Sequence, residues 1–161
     1  MPKKIEGKNA YQWRRDGLFN RAMENNDVAI KCFENLIKIE PENHRPWLNL
    51  GLVYDQMENY EKAIECFEKG ITIYNAATPE IRAERPWDSS EIEIDKAFIY
   101  MGRAYGGLGN SQKKIECMKK AIEIAPNNKN AWWHIGNTYY KLGNYQKAIE
   151  FAEKAVKIDP R

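Results

Sequence analysis

KNAWWHIGNTYYKLGNYQKAIEFAEKAVKIDPR, residues 129–161, holds two segments of 12 to 14 residues whose apolar positions recur at spacings of three and four. That spacing is the buried stripe of an amphipathic helix, met twice in quick succession. Pro160 closes the second segment, because proline cannot continue a helix. Working outward, the same line recurs at residues 95–128, 44–77 and 10–43. These three lines have 34 residues and the last has 33, with starts at Ala10, His44, Asp95 and Lys129. Only one step is irregular: 51 residues separate the second start from the third, so 17 residues, 78–94, are inserted. Residues 1–9 form a short N-terminal tail before a single domain, residues 10–161.

Several positions recur together down the four lines. Position 4 holds Trp13, Trp47, Phe98 and Trp132; position 8 holds Gly17, Gly51, Gly102 and Gly136. Position 11 holds Asn20, Tyr54, Tyr105 and Tyr139, and position 20 holds Ala29, Ala63, Lys114 and Ala148. Position 24 holds Phe33, Phe67, Met118 and Ala152, and position 32 holds Pro41, Asn75, Pro126 and Pro160. This pattern resembles the tetratricopeptide repeat family over nearly the whole chain. The physics points the same way. Small residues at positions 8 and 20 let two helices approach, and a helix pair that cannot bury its face alone must stack on a neighbour. The expected fold is all-α, an α-solenoid forming a right-handed superhelix of four antiparallel helix pairs, A and B in each repeat.

Composition narrows the function classes. Among 161 residues 43% are apolar, which suits a folded chain. No apolar run approaches the roughly 20 residues of a membrane helix, so no membrane partner is expected. MPKKIEGKNA is charged without an apolar segment behind it and does not read as a secretory signal. Cys32, Cys66 and Cys117 are copies of repeat position 23, and about 10 Å between packed helix axes is too far for a disulfide. They read as structural thiols of a reducing compartment, hence a cytoplasmic chain. No close pair of ligands suggests zinc. His44 and His134 hold different repeat positions, and no nucleophile can be grouped with them. No metal, cofactor or enzymatic activity is expected.

The resemblance implies where binding takes place: helix-A positions 2, 5, 6, 9, 12 and 13 line a concave wall. They hold Tyr11, Arg14, Arg15, Leu18, Arg21 and Ala22, then Arg45, Leu48, Asn49, Leu52, Asp55 and Gln56. The third repeat supplies Lys96, Ile99, Tyr100, Arg103, Gly106 and Gly107, and the fourth Asn130, Trp133, His134, Asn137, Tyr140 and Lys141. Seven of these are Lys or Arg and one is acidic, although the whole chain carries only +2. An acidic or carboxylate-ended peptide is the expected partner. The family's carboxylate clamp would fall on Arg14, Leu18, Asn49, Lys96 and Tyr100. Asn49 and Lys96 match it, Arg14 keeps the charge, and Leu18 and Tyr100 depart from it. Single-stranded nucleic acid, stacked on Tyr11, Tyr100, Trp133 and Tyr140, is the rival, disfavoured by the near-neutral chain. A third class is self-assembly, a weak homodimer through Tyr145, Ile149 and Val156, where a fifth repeat would otherwise stack.

Two local expectations complete the reading. Lys114 occupies a slot that wants a small residue, so its stem should lie on apolar surface with the ammonium in water. In the insertion, Thr78-Pro79-Glu80 reads as a helix start and Ser90 with Glu93 as a capping box. The third helix A should then begin near Ser90 and the insertion should be an ordered brace, with Trp87 packed back on the neighbouring helices or, alternatively, reaching a bound partner.

Overall fold

The computed structural model describes residues 3–78 and 93–159. Among them are eight α-helices: α1 (Ala10–Ala22), α2 (Asn26–Ile39), α3 (His44–Gln56), α4 (Tyr60–Ala76), α5 (Ile94–Gly107), α6 (Ser111–Ile124), α7 (Lys129–Lys141) and α8 (Tyr145–Ile158). None is long and apolar enough to cross a membrane. The chain forms two compact units, Met1–Ile92 and Glu93–Arg161, each with two helix pairs. Each A helix packs on its own B helix, and within the units α3 packs on α2 and α7 on α6. The fold is all-α and of the α-solenoid class.

Local sequence explains the helix ends. Asn9, Asn43, Asn59, Asn110, Asn128 and Asn144 each sit at an N-cap and accept a backbone N–H of the first turn through the side chain, a contact worth about 1 kcal/mol. Pro41 and Pro126 lie just beyond α2 and α6, which stop at Ile39 and Ile124. The second repeat has Asn75 at that place, and α4 runs 17 residues instead of 14. In that extra length Tyr74 meets His44 edge to face at 5.1 Å.

One expected boundary is corrected. Glu93 is extended, with ψ of 156° and no side-chain cap, so α5 starts at Ile94 and not near Ser90. The remaining expectations for the insertion, including those for Pro79, Trp87 and Ser90, lie outside the described residues.

Close approach within a pair depends on the position-8 glycine. A Cβ on Gly51 would stand 2.8 Å from Phe67 Cε1, and one on Gly17 2.9 Å from Phe33 Cε1. Both phenylalanines are fully buried. Phe33 joins Trp13, Leu36, Leu50 and Val53 in the first unit's core, and Phe98, Ile115, Met118 and Ile135 are buried in the second unit. The three thiols are buried as well. Burial pushes Cys66 up to about 12 and raises Cys32.

Candidate binding surfaces

In the first unit the expected wall residues do not all reach solvent. Arg14 and Arg45 are half-buried on α1 and α3, and Leu18 and Leu52 are partly covered. Arg15 is exposed and bonds Asp16, Nη2 to Oδ1 at 2.9 Å. Asp16 also takes Lys8 Nζ at 2.8 Å. The Lys8 ammonium, with Arg15 beside it, holds the Asp16 carboxyl below the ordinary carboxylate range against the opposing effect of burial.

Three wall positions of this unit, Leu48, Asn49 and Asp55, belong to the interior. Leu48 is fully buried, because Gly70 on α4 has no side chain and leaves room for it. Leu48 Cδ2 lies 2.5 Å from where a Cβ on Gly70 would stand. Asn49 is also buried and links two helices. Its Oδ1 accepts from Arg21 Nη1 at 2.7 Å, and its Nδ2 donates to the Arg45 carbonyl at 3.0 Å. Leu48 and Asn49 are therefore structural side chains, and Arg21 is partly engaged in holding α1 to α3.

In the second unit Lys96 is exposed on the first turn of α5 and pairs with Glu93 at 3.2 Å. Arg103 lies over the ring of Tyr100, 5.3 Å from its centroid. The fourth repeat's residues divide into two groups. His134 and Lys141 lie two helical turns apart on α7, and the charges of Lys114 on α6 and Arg103 on α5 act on His134. Burial lowers the proton affinity of His134, and Lys114 and Arg103 add to the effect. Burial likewise lowers Lys114, with Lys141 adding to it. The charged neighbours acting on both groups are cations.

Trp133, Asn137 and Tyr140 form the other group. With Tyr145 and Ile149 of α8 they line an open cleft of about 420 Å³. Trp133 stands edge to face with His134 at 5.0 Å, which joins the two groups. Tyr140 is 63% exposed and Tyr145 62%, with ring centroids 5.7 Å apart.

Lys114 is the residue that the helix-A pattern omits, because it comes from helix B. Lys114 is partly buried, with its side chain beside the bare backbone of Gly106, and burial lowers its proton affinity. The only signal in the sequence is a lysine at position 20, where the other repeats carry alanine.

Residues 44–75, 96–128 and 130–161 match the tetratricopeptide repeat, together more than half of the chain. Curated proteins yield no match to the sequence. Among solved structures, one crystal structure of MamA is similar with TM-score 0.80 at 18% identity, covering 96% of this chain and 81% of that one. A second crystal structure of MamA protein reaches TM-score 0.75 at 23% identity, covering 94% of this chain and 73% of that one. A chain in the crystal structure of the APC/C hetero-tetramer Cut9-Hcn1 reaches 0.73 at 17% identity, covering 90% of this chain and 26% of that one. At these identities the likeness is one of fold.

Proposed function

The chain belongs to the tetratricopeptide repeat family, and from that premise we propose that it is a non-catalytic protein-interaction module gripping an acidic or carboxylate-ended segment of its partner. The sign of charge on the helix-A wall carries this reading. Seven basic residues occupy wall positions, and Asp55, the single acid there, is only 9% exposed. The charged wall side chains that solvent meets are basic, and two of them stand beside acids outside the wall, Arg15 by Asp16 and Lys96 by Glu93. Arginine guanidinium groups take carboxylates in a two-pronged geometry that a neutral ligand cannot use. Tyr11, Trp133 and Tyr140 are each more than half exposed, and such aromatic side chains add contact area beside the charges.

Fluorescence anisotropy with a glutamate-rich peptide tests the reading, with a single-stranded oligonucleotide as competitor. The expected result is peptide binding that the oligonucleotide does not displace. Arg45→Glu with Lys96→Glu should abolish it while helix content by circular dichroism is kept. Equal binding by the charge-reversed protein would remove the wall as the site. Oligonucleotide binding that collapses steeply with salt would favour the nucleic-acid alternative.

A second reading, a weak homodimer, has its own observation. Tyr145, Ile149 and Val156 on α8 are 62%, 55% and 59% exposed. Ile115, at the repeat position equivalent to Ile149, is 4% exposed. Light scattering that finds only monomer at high micromolar concentration would dispose of this reading.

A further inference from the structure

Positions 23 and 24 change character in the fourth repeat. The first three carry a small thiol and then a large apolar side chain: Cys32-Phe33, Cys66-Phe67 and Cys117-Met118. The fourth carries Phe151-Ala152. In the first three the large side chain covers the position-8 glycine. A Cβ on that glycine would stand 2.9 Å from Phe33 Cε1, 2.8 Å from Phe67 Cε1 and 2.7 Å from Met118 Cε. Gly136 has no such cover. The atoms nearest to a Cβ there would be the Ala148 carbonyl oxygen at 3.2 Å, the Ala152 nitrogen at 3.3 Å and Phe151 Cβ at 3.5 Å. One residue is about 100° of helix, and the ring of Phe151 lies instead with Trp132 and Tyr139, 5.8 and 5.6 Å between centroids.

The place that a ring fills in the first two repeats is thus open in the fourth, and Gly136, Ala148 and Ala152 line it within the cleft of about 420 Å³. Ala152 is exposed, whereas Phe33, Phe67 and Met118 are fully buried. Trp133, Tyr140 and Tyr145 stand around the opening, each more than half exposed. An apolar hole with aromatic walls gains most from an aromatic or thioether side chain. Asn137 adds one polar group to the lining. It is partly buried, and its side-chain amide makes no hydrogen bond among the described residues. Such an amide both donates and accepts, which complements the N–H and C=O of a peptide backbone. Trp133, Asn137 and Tyr140 hold wall positions 5, 9 and 12, so the hole opens beside the path assigned to the partner segment.

We propose that the cleft between α7 and α8 is an anchor pocket for one phenylalanine or methionine side chain of the partner peptide, which fills the place left by Ala152 while Asn137 bonds the adjoining peptide group. The proposal rests on the reading of the chain as an acidic-peptide module and names the apolar residue by which the peptide is held. Charge along the wall selects the segment, and the hole fixes its register. A polar side chain at that place would lose hydration without gaining a partner. An alanine there would leave Gly136 and Ala152 without contacts on the open side.

Fluorescence anisotropy with three labelled peptides of one length provides the test. The first is glutamate-rich with a central phenylalanine, the second has alanine in place of the phenylalanine, and the third keeps the phenylalanine but has glutamine for every glutamate. The first should bind more tightly than the second by about tenfold or more, about 1.4 kcal/mol. Ala152→Phe gives the fourth repeat the ring of the first two. It should keep or raise Tm and cancel that advantage. Ile149→Lys, at an exposed position, should cancel it as well and serves where Ala152→Phe disturbs folding. In NMR spectra the methyl signals of Ala152 and Ile149 should move with the phenylalanine peptide and stay in place with the alanine peptide. Equal binding of the two glutamate-rich peptides refutes the pocket and leaves the module reading intact. Glutamine-peptide binding as tight as that of the first, lost in Ala152→Phe, supports the pocket and removes the acidic reading. Self-association that Ala152→Phe abolishes, without any preference for the phenylalanine peptide, gives the cleft to a second copy and overturns the peptide anchor.

Discussion

The indole Nε1 of Trp13 donates a hydrogen bond to the carbonyl oxygen of Ile5 at 3.1 Å. This bond ties the N-terminal tail to the first helix pair. Ile5 and Lys8 exchange two backbone hydrogen bonds, both 3.0 Å, around Glu6 and Gly7, which have φ of 49° and 76°. Lys8 then reaches over the Trp13 ring, 4.7 Å from its centroid, to Asp16. Lys3 Nζ donates to the Lys38 carbonyl at 2.9 Å.

Removing the donor alone should be measurable. Trp13→Phe keeps a ring in the core and leaves the Ile5 carbonyl without its indole partner. Urea denaturation should show a loss of at least about 1 kcal/mol, with smaller further loss when residues 1–8 are deleted in that background than in the parent. Additive losses would mean that the tail and the indole act separately.

Asp16 gives the acid limb a direction. Its folded carboxyl lies below the ordinary 3.8 because Lys8 and Arg15 bond its charged form. The unfolded chain therefore binds more protons in that range, and stability rises with pH. The contribution is present above the unfolded value and is lost as pH falls through the folded one. Asp16→Asn should lower stability at pH 7 and flatten the decline between about pH 5 and pH 2. A parallel decline in the two proteins would assign the acid sensitivity elsewhere.

Lys114 and His134 act with a related sign. Both are bases whose folded affinity for protons is depressed, so the unfolded chain binds more protons and stability falls on acidification. For His134 the loss sets in as pH falls below its ordinary 6.5. Lys114→Met removes a repelling charge from a partly buried residue. It should raise Tm at pH 7 and move His134 upward toward its ordinary value. An unchanged His134 titration would show that the two groups do not interact.

The turn between helices A and B contains a contrast. Glu24 and Glu58 have φ of 57° and 55°, and the equivalent Gly109 and Gly143 have 76° and 74°. A left-handed conformation costs a residue with a side chain about 1–2 kcal/mol. Glu58→Gly should stabilise the protein by about 0.5–1 kcal/mol, the gain being reduced by the freer unfolded chain. Chemical denaturation that finds Glu58→Gly weaker than the parent would show that the glutamate side chain contributes more than the strain removes.

Much of the architecture was legible because it is written in local contacts. The apolar spacing, the position-8 glycines, the small position-20 residues and the prolines after helix B act within one helix pair, so each 34-residue line states its own fold. The wall was less legible, because its residues depend on partners far along the chain. Arg15 belongs to an exposed ion pair with Asp16, as adjacent charges suggested nothing of Lys8 reaching the same carboxylate. Repeat numbering put Leu48 on the binding face, but the empty space above Gly70, 22 positions on, drew it into the core. It put Lys114 on the other helix altogether, and the bare backbone of Gly106 left its side chain room. A periodic sequence determines which face of a helix is apolar. Which side chain fills a gap on that face is decided by volume, and volume exists only once the helices have packed.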